Sequence, residues 1–178
     1  MLFLRRFHKM KENKPFKYKN SREYLRALIN RAYLSISLPF VLFGWLYLES
    51  TADNLYPQIP ENMILLTSFL VFFLMFILVI IGYIQSSRLL RLAQTKAYLN
   101  EKILLHQEAI TRKFIYFSIA ALVISIGLYI TANELISVLF AGMIIIFSIN
   151  NPTLRSIVRD LQLRNEEKDT VLKVENFE

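Results

Sequence analysis

Two long stretches of this chain contain no lysine or arginine, and the long apolar runs fall inside them. The 21 basic residues fill residues 1–31, the segment from Arg88 to Lys113, and the tail from Arg155 onward. None lies between Ala32 and Gln85, or between Phe114 and Thr153. A soluble domain spreads its charge along the sequence. A chain that crosses a bilayer keeps cations out of the hydrocarbon and gathers them on the side where its loops stay. The pattern predicts an all-α, polytopic membrane protein with four transmembrane helices, cytoplasmic helical extensions and both termini in the cytoplasm. The bacterial inner membrane is the expected location.

The predicted spans cover about 32–48, 63–84, 114–131 and 135–149. They form a unit over 32–149, preceded by a basic tail and juxtamembrane helix over 1–31 and followed by an amphipathic tail over 150–178. Met63 to Ile84 is 22 residues, which at ~1.5 Å each crosses a ~30 Å core with some tilt. Pro39 lies inside the first span and removes a backbone donor, so a kink is expected there. Only Ala132-Asn133-Glu134 separates the third and fourth spans, which demands an antiparallel hairpin. The fourth run is short. It either starts near Thr131, thins the bilayer, or forms a re-entrant pair with the third. Ser118, Ala121 and Ser125 share one face of the third span, and Ser137 and Ala141 are four apart on the fourth, beside Gly142. Small residues let backbones approach closely, so these are the expected helix-packing positions.

Residues 85–113 contain no Gly or Pro and are rich in helix formers. Span two is expected to continue to about Leu99, and a new helix to open near Glu101 behind an Asn100 cap. Leu89, Leu92, Ala93 and Ala97 would then face Ile103, Leu104 and Ile110. Asn20 to Glu23 resembles a capping box before a helix that carries Leu25, Leu28 and Ile29 on its apolar side. In the last segment, Leu154, Ile157, Val158 and Leu161 recur at i, i+3, i+4 and i+7. That stripe is expected to pack under the bundle or to dock a partner. A short second helix carrying Val171, Leu172 and Val174 should follow.

The net charge of +7 sits beside apolar segments, where anionic headgroups lie, so lipid rather than nucleic acid is the expected anionic partner. The basic residues 1–19 would adhere to that surface. There is no cysteine, which excludes thiolate chemistry and disulfides. None of the four spans has an ionisable interior residue, which argues against proton coupling, voltage sensing and intramembrane acid–base catalysis. His8 and His106 have no partner at metal-ligand spacing and are expected to be surface residues. No catalytic, cofactor-binding or metal-binding residue is predicted, and no cofactor.

The expected role is therefore non-enzymatic: an accessory or scaffolding subunit acting through its cytoplasmic face, on a membrane-protein partner or a second copy of itself. The alternative is a small transporter or channel subunit, with Ser118, Ser125, Thr131 and Ser137 lining a pathway. An enzyme would have only the outer carboxylates Glu49, Glu61 and Glu134 to work with.

Overall fold

The computed structural model describes residues 18–173, so the basic tail before Tyr18 and the final residues from Val174 lie outside the described residues. Six helices follow in order: α1 Ser21–Thr51, α2 Glu61–Gln94, α3 Leu99–Thr131, α4 Leu135–Ile149, α5 Leu154–Leu161 and α6 Asn165–Leu172. No strand occurs among the described residues. Helices α1, α2 and α3 are each long and apolar enough to cross a membrane, and α4 with α5, bent by 79° at the break between them, makes a fourth candidate. The α2 helix has 34 residues, about 51 Å at ~1.5 Å per residue. That exceeds a ~30 Å hydrocarbon core, so the helix extends well beyond it.

The α3 helix is the axis of the bundle. Half of its apolar stretch (50%) is buried inside the protein, against 22% for α2 and 28% for α1. Much of α2 is accordingly exposed apolar surface, including Leu66, Phe69, Leu70, Phe73 and Ile77. The close approach of α2 and α3 depends on glycine. A Cβ at Gly127 would stand 2.8 Å from Val71 Cγ2, and one at Gly82 would stand 3.0 Å from Tyr116 Cβ.

The start of α1 is capped by Asn20, whose side chain accepts from the Glu23 backbone N–H at 3.0 Å. The Glu23 carboxylate reaches back to the Lys19 N–H at 2.7 Å, one residue earlier than in the usual capping box. The helix then runs unbroken through Pro39. Proline has no N–H to give the carbonyl four residues before it, that of Ser35. The Ser118 hydroxyl of α3 donates to that orphaned oxygen. The missing intrahelical bond becomes an interhelical one, as bilayer-spanning helices require.

Small residues account for only part of the packing. Ala121 and Ser125 are buried, and Ser118 is spent on α1. On α4 the expectation is corrected: Ala141 is exposed, Ser137 is only half-buried, and Gly142 faces open space. Instead α4 packs through Ile136, Phe140, Met143 and Phe147. Phe140 stacks on Phe43 of α1 with ring centroids 3.7 Å apart, and Phe147 meets Phe117 of α3. Ring-on-ring contact outweighs the close approach that the small stripe would permit.

At its start α4 is held by Asn133, which donates to the Ser68 hydroxyl of α2. At its end Asn150 donates to the Tyr83 hydroxyl at 2.7 Å and accepts from the Lys113 ammonium at 3.1 Å. The short helix therefore runs from the level of Ser68 to that of Tyr83. Its 15 residues cover about 22 Å, less than a standard ~30 Å core.

Candidate functional site

Polar groups concentrate at the basic end, where α2 and α3 project beyond their apolar runs. The helices break at Thr95–Tyr98, with Tyr98 at the N-cap of α3 and Glu101 in its first turn. The expected apolar facing is partly realised. Ala93, Ile103 and Ile110 are buried, while Leu92 and Leu104 are exposed and so is Ala97. The C-terminal segment fills the space beneath. Thr153 and Ser156 form a reciprocal capping box that opens α5, with Thr153 as the N-cap. Of the amphipathic stripe, Ile157 and Leu161 are fully buried, with Leu154 and Val158 packed against the same core. Ile157 and Leu161 are thus occupied within the chain.

Beneath α5 lies a buried polar cluster that joins three helices. His106 of α3, expected at the surface, is fully buried. Its position explains why, since it lies three residues after Ile103 and four before Ile110, on the core stripe of α3. The hydroxyl of Tyr24, on α1, is 2.6 Å from His106 Nδ1. On the other side, Nε2 is 3.8 Å from Asp160 Oδ2 of α5, too long for a hydrogen bond. The Gln94 amide donates to the Asp160 backbone carbonyl at 2.8 Å, which brings α2 into the same junction. Lys113 stands two turns further along α3.

The electrostatics follow from burial. Burial raises Tyr24 well above the usual phenol value, and neighbouring Tyr18 adds to this against an opposing effect of Arg31. Tyr24 is thus a neutral phenol, its hydroxyl hydrogen-bonded with Nδ1 and 3.4 Å from the Ile103 carbonyl. Burial also lowers His106, outweighing the nearby Asp160 carboxylate, which favours the cation. For Asp160, burial pushes the carboxyl up, but His106 and Arg159 prevail and hold it below its usual value. Burial likewise lowers Lys113, with Asp160 opposing. The resting arrangement is a neutral imidazole between a phenol and a carboxylate, closed to solvent.

Further bonds hold the tail in place. Lys102 pairs with Glu167 at 2.7 Å. The buried Ser21 hydroxyl of α1 donates to the Val171 carbonyl of α6 at 2.7 Å. Ser21→Ala leaves that carbonyl without its partner, and a loss of about 1 kcal/mol is expected. Limited proteolysis should detect it as faster cleavage within 162–173. An unchanged cleavage rate would show that this bond does not hold the tail.

Two further candidate residues are spent on the backbone. Ser125 donates to the Ala121 carbonyl and Thr131 to that of Gly127. Among the described residues no three histidine or carboxylate side chains gather as a metal site would require. Fold and site together define an all-helical protein with three to four candidate membrane spans and a polar junction sealed at one end. No family model, curated protein or solved structure matches the chain.

Proposed function

We propose that the protein is a non-enzymatic accessory or scaffolding subunit of a membrane, with its basic end in the cytoplasm and its cytoplasmic face as the working surface. The positive-inside bias of the lysines and arginines supports the orientation, and the bacterial inner membrane suits it. The observation that carries the role is the division of polar chemistry. In the spans, Ser118, Ser125 and Thr131 each donate to a backbone carbonyl, so they are poor candidates for lining a pathway. At the basic end, polar contacts among α1, α2, α3, α5 and α6 tie the helices into one organised unit. Broad apolar flanks on α2 leave room for a membrane-protein partner or a second copy.

Purification from native membranes in mild detergent tests this. The expected result is a stoichiometric complex with another membrane protein or with itself. A monodisperse monomer that moves a solute after reconstitution would sink the proposal in favour of a transporter.

A further inference from the structure

We infer that a groove on the outer flank of the α2–α3 pair, at the basic end of its apolar stretch, binds the headgroup of an anionic phospholipid. The groove is lined by Gln85, Arg112, Ile115, Tyr116 and Ile119 and has a volume of about 330 Å³. That lies within the range of small-molecule sites, roughly 300–1,000 Å³. It shares no residue with the Tyr24–His106 junction.

Its polarity is graded in the direction a lipid would need. Gln85 directly follows the apolar run that ends at Ile84, and Arg112 stands two residues before Phe114. Both are at the level where phosphates meet hydrocarbon. One and two turns deeper, Ile115 and Ile119 are 45% and 41% exposed, a floor continuous with the bilayer-facing surface and suited to an acyl chain. A soluble anion would gain nothing from that floor.

The polar end has donors to spare. Gln85 and Tyr116 make no side-chain hydrogen bond to any described residue. Arg88, exposed and one turn beyond Gln85 on α2, has no ion pair among the described residues. Arg112 pairs with Glu108 one turn away, and both side chains are one-third exposed. The guanidinium has five N–H donors, so one carboxylate leaves others for a phosphate. Glu108 is a competitor for the cation as well as an orienter of it. This inference rests on α2 and α3 spanning a membrane and is independent of the accessory role.

Native mass spectrometry of the full chain in neutral detergent tests it. Dioctanoyl phosphatidylglycerol, dioctanoyl phosphatidylcholine and inorganic phosphate serve as separate probes. Phosphatidylglycerol should bind about fivefold more tightly than phosphatidylcholine, the worth of one interfacial cation. Arg112→Gln should abolish that preference, Tyr116→Phe should weaken it, and Glu108→Gln should strengthen it by freeing the guanidinium. Equal binding of the two lipids overturns the proposal, as does a preference that survives Arg112→Gln. Inorganic phosphate that displaces phosphatidylglycerol at equal concentration would also overturn it, by assigning the groove to a soluble anion. If Arg112→Gln fails to give a helical circular-dichroism spectrum, the other two variants decide, and no change in either refutes the site.

Discussion

Gly127→Val is expected to separate α2 from α3 and to lower stability in detergent by about 1–3 kcal/mol, the usual cost of overpacking. The new Cβ alone would stand 2.8 and 3.0 Å from the two Val71 methyls and 3.4 Å from Val71 Cβ. The Val71 methyls have little freedom to turn away, because a β-branched residue in a helix has essentially one rotamer. Membrane helices associate by contact, without a hydrophobic drive to hold them against a clash. Val71→Ala, introduced alongside Gly127→Val, should recover part of the loss. Gly142→Val is the matched control, since a Cβ there meets nothing within 4 Å. The midpoint of denaturation in mixed micelles reads all three proteins. Equal losses at Gly127 and Gly142 would show that helix propensity, not the approach of α2, sets the cost.

Acid should loosen the basic end through His106. Burial holds the folded imidazole below its usual value of 6.5. Below about pH 6.5 the unfolded chain therefore binds a proton that the folded one refuses until lower pH. Stability is complete above that point and falls with pH beneath it, by no more than about 1.4 kcal/mol per pH unit for one proton. The groups acting on the ring are Tyr24 from α1, Asp160 from α5 and Lys113 from α3 itself, with the exposed Arg159 pairing with Asp160. Tyr24, raised by burial, titrates on the alkaline side. Asp160 contributes stability that is lost only as pH falls through its own lowered value, so the window from pH 6.5 to 5 belongs to His106. Hydrogen exchange of α5 and α6 at pH 7.5 and 5.5 would show faster opening in acid. His106→Asn, which keeps an acceptor for the Tyr24 hydroxyl, should remove the pH dependence in that window. Asp160→Asn should steepen it by removing the anion that favours the imidazolium. An unchanged acid response in His106→Asn would place the titrating group elsewhere.

The bundle was legible in the sequence because exclusion of charge from hydrocarbon is written directly in residue order, as between Ala32 and Gln85. The capping residue Asn20 and the amphipathic stripe from Leu154 to Leu161 were equally local signals. What was not legible depended on which helix faced which. Ser118 reads as a small packing residue. Its role as donor to Ser35 follows only once α1 and α3 are side by side and Pro39 has left that carbonyl unpaired. The stripe Ile103–His106–Ile110 was available at helical spacing, but a lone histidine amid charged neighbours reads as surface until Tyr24 and Asp160 are brought to it. On α4 the small residues gave the wrong face because Phe43 and Phe140 stack so closely. The end of α2 at Gln94 has no glycine or proline to mark it.

The bond between Ser21 and Val171 also orders events in time. Residues 21–24 are synthesised long before residues 160–171 exist. Until those arrive, Ser21 has no acceptor, and His106 has lost the carboxylate on its far side. The basic end of a growing chain is therefore wet and unsealed after α1, α2 and α3 are in place. Closure waits for α5 and α6, so a quality-control factor that senses exposed polar groups at that end would distinguish finished from unfinished copies without contacting the spans.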